Sequence, residues 1–174
     1  MEKWIDSQIV YKGNIFSVRE GKIETDKGRK FSRQTVIFPG AVGVVALLNN
    51  QITLVRQFRI SINKEIIELP AGKLDENENP ESCARRELLE EVGYVANTLE
   101  LISEYYTAVG YSTEKMYIYM ATDPEVSQAK PEAGEDLEII RLSLADIKRM
   151  LDQGEFEDSK TIIGLRETLI RLGM

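Results

Sequence analysis

The chain has 174 residues, enough for one domain with a substantial core, and it carries 22 basic against 29 acidic residues, a net charge of −7. That charge disfavours nonspecific binding to nucleic acid or to an anionic membrane, and no apolar run approaches the ~20 residues that span a bilayer. One cysteine excludes an internal disulfide and the first residues lack an apolar secretory core, so we predict a reducing, cytoplasmic location.

The sequence contains no histidine, which excludes Ser-His and Cys-His catalytic pairs and the usual zinc ligands. A Ser-Lys site stays formally open. A general base must be a carboxylate, a lysine, a tyrosine or metal-bound water. Cys83 is interpreted as a small packing residue of a helix, because a catalytic thiol needs a basic partner.

The first 38 residues predict an N-terminal β segment of two or three short strands, at 9–11, 16–24 and 31–38. Turn-forming residues separate these strands, at Lys12-Gly13-Asn14 and at Asp26-Lys27-Gly28. A segment of this size is too small to bury its own core. It must therefore dock on the main domain, residues 39–174, or on another subunit.

The main domain begins after a break at Pro39-Gly40. Residues 41–48 form a near-continuous apolar run, Asn49-Asn50 is a turn, and residues 51–58 alternate as a half-buried strand. Further strands are predicted at 66–69, 99–106, 115–121 and 138–142, and helices over 143–153 and 159–171. Ser143 and Ser159 are positioned to cap those two helices. The order of elements predicts an α/β fold with a mixed central sheet covered on both faces.

The stretch from Gly72 to Tyr94, GKLDENENPESCARRELLEEVGY, contains a third predicted helix. Asn79 is its capping residue, Pro80 occupies its first position, and Gly93 suits the left-handed turn that ends it. At 100° per residue, its acidic side chains fall within roughly a 100° sector. This acidic face consists of Glu87, Glu90 and Glu91, and an apolar face opposite it consists of Ala84, Leu88, Leu89 and Val92.

The acidic face opposes two local rules of helix stability. Like charges three and four residues apart cost a few tenths of a kcal/mol per pair, and the macrodipole disfavours Glu90 and Glu91 in the last turn by ~0.3–1 kcal/mol each. Such a conflict indicates function, and a hard divalent cation, Mg²⁺ or Mn²⁺, would relieve it. The alternative is a solvated acidic helix balanced by Arg85 and Arg86, and the charges alone leave both open.

The spacing of the stretch carries a resemblance. It reads G-x(5)-E-x(7)-R-E-U-x-E-E-x-G-U, where U is a bulky apolar residue, and the positions are filled by Gly72, Glu78, Arg86, Glu87, Leu88, Glu90, Glu91, Gly93 and Tyr94. The pattern resembles the signature of the Nudix hydrolases, although the family more often has an aliphatic residue at the last position. The resemblance implies an α/β/α sandwich and a loop–helix–loop that binds Mg²⁺ and cleaves a nucleoside diphosphate linked to another group.

Segments outside the motif look most like the ADP-ribose pyrophosphatases of that family, over most of residues 33–140. They are the PGAV segment at 39–42, the RQ-aromatic-R strand at 56–59, the ELPAGK loop at 68–73 and the YSTE segment at 111–114. This likeness implies metal-dependent hydrolysis of ADP-ribose to AMP and ribose 5-phosphate. Residues 107–110, TAVG, lack the proline that those enzymes typically carry there, which weakens the substrate prediction and not the reaction.

Two alternatives remain. One is a Nudix hydrolase that acts on another nucleoside diphosphate sugar or on a dinucleotide. The other, less favoured, is a non-catalytic nucleotide-binding regulator, which predicts a damaged motif where this motif is intact.

The resemblance also implies roles for residues of the motif. Glu87, Glu90 and Glu91 would serve the metal ions together with the Ala71 carbonyl. Arg86 would orient a carboxylate through a salt bridge, and Glu78 would brace the loop.

The acidic loop at 131–136, PEAGED, is similar in position to the acidic loop of the family. Glu135 would be a further metal ligand or the base that deprotonates water, with Glu132 the weaker second choice. A solvated acidic turn is the alternative for this loop.

For the substrate, a nucleoside diphosphate-linked small molecule, the resemblance assigns four residues. Arg59 matches the phosphate-binding arginine, and a plain surface-strand arginine is the alternative. Arg33 would stack on the base, and Phe16 could supply an aromatic side from a partner chain, although a core position is the commoner fate of such a residue. Glu68 would hold ribose hydroxyls or the base. We expect a symmetric homodimer with exchanged N-terminal segments.

Overall fold

The computed structural model describes residues 1–129 and 136–174, in which the chain forms twelve strands and three helices. These elements divide between two compact units. The N-terminal unit consists of Met1–Gly40 and Tyr105–Lys115, and the core unit consists of Ala41–Glu104 and Met116–Met174.

The N-terminal unit contains a three-stranded antiparallel sheet in the order β1 (Glu2–Lys12), β2 (Ser17–Thr25) and β3 (Lys30–Ile37). The first predicted strand, 9–11, was far too short. Its pairing with β2 shifts register between Trp4 and Asp6 and again between Ile9 and Tyr11. Such irregularities break the strict alternation of side chains on which strand prediction depends.

The core unit is built on a mixed sheet, as predicted. Its principal strands run in the spatial order β12 (Glu138–Ser143), β5 (Gln51–Arg59), β4 (Ala41–Leu48), β10 (Lys115–Thr122) and β9 (Glu100–Tyr106). Strand β4 is parallel to β10 and antiparallel to β5. The predicted alternation of residues 51–58 was wrong, because residues 52–55 of β5 are buried without a break, as expected where both faces of a sheet are covered. The predicted Asn49-Asn50 turn joins β4 to β5 with positive φ at both asparagines, which suits a tight hairpin.

Shorter strands complete the core unit. Strand β6 (Lys64–Glu68) extends the sheet beside β5, and β7 (Ala71–Lys73) pairs antiparallel with β4. A separate two-stranded ladder joins β8 (Tyr94–Val95) to β11 (Glu125–Val126). Strands β7, β8 and β11 were not predicted, because two or three residues carry no periodicity.

Two of the three helices begin as predicted. In α1 (Pro80–Val92) the Asn79 side chain accepts a hydrogen bond from the Ser82 N–H at 2.9 Å, and Gly93 ends the helix in the left-handed conformation. In α2 (Leu144–Gln153) the cap is Ser143.

The third helix, α3 (Ser159–Arg171), has a different cap from the predicted Ser159. Its cap is Asp158, whose Oδ2 accepts from the Thr161 N–H at 3.0 Å. The neighbouring aspartate performs the capping, so Ser159 is the first residue of the helix.

The helices cover both faces of the core sheet, which confirms the predicted sandwich. On one face, Val42, Val44 and Ala46 of β4 belong to the same buried cluster as Leu88 and Val92 of α1. On the other face α3 approaches β4 closely: a Cβ at Gly164 would lie 3.2 Å from Cγ2 of Val45. Alternate residues of β4 therefore pack against α1 on one face and α3 on the other. Among the residues that the structure describes, no helix is long and apolar enough to cross a bilayer.

Candidate active site

The loop before α1 lies directly against its acidic face. A Cβ placed on Gly72 would fall 1.8 Å from Oε1 of Glu87, so any larger residue would collide with that carboxylate. Gly72 is held there because β7 pairs with β4, opposite Val42. A side chain at the motif glycine would therefore force the carboxylate of Glu87 to move away from the loop.

Arg86 forms hydrogen bonds with two of the three carboxylates of the acidic face. Its Nη1 donates to Glu87 Oε1 at 2.6 Å and to Glu90 Oε2 at 3.1 Å. Its Nε and Nη2 donate to the two oxygens of Glu78 at 3.1 and 3.0 Å. The hydrogen bonds from Arg86 lower the pKa of Glu78 to about 2, and the bond to Glu78 raises the pKa of Arg86. These contacts agree with the salt-bridge and bracing roles that the motif implies; the roles themselves stay predictions.

Glu91 is almost fully buried, at 6% exposure. Its Oε2 accepts a hydrogen bond from the Ala71 N–H at 3.0 Å. The structure therefore brings Glu91 and Ala71 together, although through the amide of Ala71 and not through the carbonyl that the motif predicts as a ligand. One carboxylate of the acidic face consequently supports the loop as well as the helix.

The donor set on this face suits a hard divalent cation. Glu87, Glu90 and Glu91 present carboxylate oxygens from one side of α1, and such oxygens are what Mg²⁺ and Mn²⁺ prefer. In residues 1–129 and 136–174, however, no three acidic or sulfur-bearing side chains converge as a preformed cage. Instead, the Arg86 guanidinium bridges Glu87 and Glu90, and its positive charge offsets the negative charge of those two carboxylates.

Arg59 lies at the end of β5, beside a buried carboxylate. Its Nε donates to Glu68 Oε1 at 2.6 Å and its Nη2 donates to Glu68 Oε2 at 3.0 Å. The hydrogen bond to Glu68 raises the pKa of Arg59 against the effect of burial, and the charge on Glu91 adds to that rise. Arg59 is therefore within electrostatic reach of the acidic face.

Glu68 is 2% exposed, and both of its oxygens are engaged. Besides Arg59, the Lys160 ammonium donates to Oε2. Burial raises the pKa of Glu68, but the hydrogen bonds and charges of Arg59 and Lys160 outweigh burial and leave it lowered. The predicted contact of Glu68 with ribose or base remains a prediction. Both carboxylate oxygens of Glu68 already accept hydrogen bonds from Arg59 or Lys160.

The two residues predicted to hold the base belong to the N-terminal unit. Arg33 pairs with Glu2 at 2.9 Å, and its guanidinium carbon lies 5.6 Å from the ring centroid of Phe31. Phe16 is 39% exposed, with its ring centroid 5.6 Å from that of Tyr11, so within one chain it is not a core residue. Glu135, the predicted base, and Glu132 lie outside the described residues.

Sequence reasoning treated Tyr94 as a weak match and overlooked its partners. The ring is buried at 1% exposure. Its hydroxyl accepts hydrogen bonds from Thr53 Oγ1 at 3.2 Å and from Arg141 Nε at 3.1 Å. A tyrosine fits where an aliphatic residue is usual because these neighbours satisfy its hydroxyl.

Cys83 is buried, its Sγ donates to the Lys73 carbonyl at 3.4 Å, and burial raises the pKa of its thiol. Arg86 Nη2 also donates to this sulfur at 3.4 Å, so the expected lack of a basic partner was wrong. Burial and the raised pKa still agree with a packing role.

Lys160 was also missed, and a signal for it existed. It is the second residue of α3, where a positive charge opposes the helix macrodipole. The same argument, with the opposite sign, singled out Glu90 and Glu91.

A family model described as the NUDIX domain matches residues 37–163, well over half of the chain. The chain belongs to the Nudix family. One Nudix relative is an ADP-ribose pyrophosphatase of Bacillus subtilis (strain 168), 34% identical over 168 residues, which cover 95% of this chain and 91% of the relative. A methanol dehydrogenase activator of Bacillus methanolicus is 33% identical over 170 residues, which cover 95% of this chain and 91% of that protein.

A solved structure, the crystal structure of an ADP compounds hydrolase, is similar at a TM-score of 0.86 and 25% identity, over 99% of this chain and 96% of that chain. The predicted Nudix membership, the mixed α/β fold with its antiparallel N-terminal sheet, and the assignment as a Nudix pyrophosphohydrolase are thereby confirmed. Nudix hydrolases generally need divalent metal ions.

Proposed function

We propose that this Nudix enzyme hydrolyses the pyrophosphate of ADP-ribose to AMP and ribose 5-phosphate. The observation that supports this most is the intact acidic face of α1, with Gly72 against Glu87 and Arg86 bridging Glu87 and Glu90. The ADP-ribose pyrophosphatase relative, aligned over nearly the whole chain, favours ADP-ribose as the substrate.

We propose Mg²⁺, with Mn²⁺ as an alternative, as the cofactor. Glu87, Glu90 and Glu91 would hold it together with the carbonyl of Ala71, and Glu135 would be a further ligand or the base. When bound, the ion supplies positive charge that stabilises the phosphates and lowers the pKa of water. Arg86 keeps its fork on Glu78, and this pairing orients the rest of its guanidinium towards the other carboxylates.

The remaining chemistry belongs to side chains of this chain. Arg59, with N–H donors left over from Glu68, would bind phosphate oxygens. The oxygen of water attacks phosphorus, the bond from phosphorus to the bridging oxygen breaks, and the proton of water goes to a carboxylate. Glu135 is our proposed acceptor of that proton.

We also propose the homodimer with exchanged N-terminal segments and domains of 1–38 and 39–174. Seven large apolar side chains of the N-terminal sheet and its turns are exposed in the single chain, and a second copy would cover them. They are Ile5, Ile9, Val10, Tyr11, Ile15, Phe16 and Phe31. Arg33 and Phe16 would then contribute base contacts to the site of the partner. A cytoplasmic location stays a prediction, based on the single free cysteine.

A panel of substrates followed by ³¹P NMR tests the proposed reaction. We expect AMP and ribose 5-phosphate from ADP-ribose in the presence of Mg²⁺, with turnover faster than for other nucleotide sugars, including a guanosine diphosphate sugar, and for dinucleotides. Adding EDTA should abolish turnover. Faster turnover of any other member of the panel would make the substrate proposal wrong, and turnover that survives EDTA would contradict the metal-assisted reaction.

One alternative has its own support. The similar solved structure is that of an ADP compounds hydrolase, a name that covers a class of molecules, and this likeness favours another ADP-linked molecule on the same scaffold. The relative named as an activator raises the regulatory alternative, but the intact motif favours hydrolysis. Absence of turnover for the whole panel, with nucleotide binding retained, would favour the regulator.

A further inference from the structure

The proposed reaction leaves one buried cation without a role. Lys160 is 8% exposed, and lysine is almost never this buried unless it is paired. Its Nζ donates to Glu68 Oε2 and lies 3.0 Å from Oδ2 of Asp158, the cap of α3. Burial and an unfavourable position in the helix dipole both oppose a lysine here. Its contact with Glu68 therefore indicates a purpose beyond helix stability.

Glu68 links this lysine to the proposed phosphate-binding arginine. The carboxylate side chain is 3% exposed, whereas that of Arg59 is 41% exposed. Oε2 of Glu68 accepts from both Lys160 and Arg59, and Oε1 accepts from Arg59 alone. Lys160 is thus the inner end and Arg59 the outer end of one ion-pair chain, and Arg59 is the member that a ligand can reach.

The hydrogen-bond inventory of Arg59 defines what remains for a ligand. A guanidinium has five N–H donors in a planar fork. Glu68 takes the Nε donor and one Nη2 donor, so within the described residues both Nη1 donors and one Nη2 donor stay available. Because Glu68 holds the Nε edge, the orientation of the fork follows the orientation of Glu68.

Removal of the lysine would change that orientation. A buried carboxylate that loses one of two cations draws more strongly on the other. Glu68 would then compete with an incoming phosphate for the donors of Arg59, and the fork would turn inward.

We propose that Lys160 is a positioning residue, which through Glu68 holds the Arg59 guanidinium in the orientation that binds pyrophosphate. The inference rests on the proposed function in one respect, namely that Arg59 contacts the phosphates. Lys160 itself does not touch the substrate.

The chain offers two matched controls. Lys64 at the start of β6 pairs with Glu157, just before α3, at 2.6 Å, but this ion pair is exposed and does not involve Glu68 or Arg59. Thr161, fully buried, accepts from the N–H of Leu69, the residue after β6, at 2.8 Å and donates to Asp158 Oδ2 at 2.6 Å. It thus shares Asp158 with Lys160 but has no ionic contact with Glu68. Lys64 controls for the loss of a lysine near the start of α3. Thr161 controls for the loss of a buried contact between α3 and the chain after β6.

The experiment compares Lys160→Met, Lys64→Met and Thr161→Val with the wild type. We measure kcat and KM for ADP-ribose, the Kd of ADP by calorimetry, and Tm. For Lys160→Met we expect KM and the ADP Kd to rise about fivefold or more while kcat stays within about twofold. Thr161→Val should lower Tm and leave KM and the ADP Kd unchanged, and Lys64→Met should change none of them.

Several results would overturn the inference. They are a KM and an ADP Kd for Lys160→Met equal to those of Lys64→Met, a rise of the same size in Thr161→Val, or a fall in kcat with KM unchanged. If Lys160→Met does not fold, Lys160→Gln, which keeps a donor for Glu68 without the charge, is judged by the same criteria.

Failure of the proposed function is distinguishable from failure of the inference. An Arg59→Ala variant that binds ADP as tightly as the wild type would refute the phosphate role of Arg59, and the inference with it. If the wild type binds ADP but does not turn over ADP-ribose, the substrate proposal fails. A higher ADP Kd in Lys160→Met than in the wild type would in that case still support the positioning role.

Discussion

At the scale of single residues, close contacts explain why the motif needs particular residue types. Gly72 leaves room for the carboxylate of Glu87, and the fork of Arg86 holds Glu78 on one edge and Glu87 with Glu90 on the other. The sequence pattern indicated which of these residues matter. Their contacts indicate why: each one fixes the position of a charged neighbour.

Replacement of Gly72 by alanine should therefore displace Glu87. We expect Gly72→Ala to lower kcat/KM by at least about tenfold, because Glu87 is displaced. The free energy of unfolding should fall by only about 1 kcal/mol or less, because the displaced group is the flexible end of a side chain. Steady-state kinetics and urea unfolding measure the two effects. Gly110→Ala is the control, because a Cβ on Gly110 meets nothing within 4 Å. Equal behaviour of the two variants would contradict the steric role of Gly72.

The Glu78–Arg86 pair should make stability depend on acid pH. The pKa of Glu78 is lowered from 4.5 to about 2 in the folded protein, so the pair stabilises the fold fully above pH 4.5 and loses that contribution as the pH falls towards 2. We expect the difference in unfolding free energy between wild type and Glu78→Gln to shrink between about pH 6 and about pH 3. Glu81→Gln, which removes an exposed ion pair with Arg85, should have little effect at either pH.

At the scale of secondary structure, both ends of α1 were predicted from its own residues, whereas the capping residue of α3 was not. Asn79 and Gly93 lie at the ends of α1 with nothing competing for their positions. At the start of α3, aspartate and serine stand side by side, and both are good caps. Tertiary contact distinguishes them, because the Asp158 carboxylate also binds the buried Lys160 and the Thr161 hydroxyl.

The cap of α3 can be tested with two neighbouring substitutions. Asp158→Ala should destabilise the protein by about 1–2 kcal/mol, since it removes the cap and the partner of Lys160. Ser159→Ala should stay within about 0.5 kcal/mol of the wild type, because Ser159 is already inside the helix. Chemical denaturation of both variants measures the difference. A larger loss of stability in Ser159→Ala than in Asp158→Ala would mean that Ser159 caps α3.

At the scale of the whole molecule, the predicted site residues divide between two compact units. Arg33 and Phe16 belong to the N-terminal unit, whereas Arg59, Glu68 and the acidic face of α1 belong to the core unit. The exposed apolar side chains of the N-terminal sheet favour a second copy as their cover. The proposed dimer therefore makes a prediction about the site and not only about mass.

Complementation between two inactive chains tests that dimer. An Arg33→Ala chain and a Glu87→Gln chain are each expected to have poor activity at low ADP-ribose. If each site uses Arg33 from one chain and Glu87 from the other, random mixing should restore activity to about a quarter of the wild-type level. Light scattering should give twice the mass of one chain. A mixture no more active than its components would mean that each site lies within a single chain.

Features that depend on neighbours along the chain could be predicted from the sequence: the ends of α1, the Asn49-Asn50 hairpin turn, the apolar run of β4 and the motif from Gly72 to Tyr94. These features follow from backbone preferences and from periodicity within one element, so they survive without knowledge of the rest.

The position of Glu68 between Arg59 and Lys160 follows from tertiary folding alone, because Lys160 lies 92 residues beyond Glu68 along the chain. Tertiary folding also decided that β7 and β8 are strands, because their pairing partners lie on distant segments. Burial and strand pairing depend on the surroundings of a residue, and the fold assembles those surroundings from distant segments of the chain.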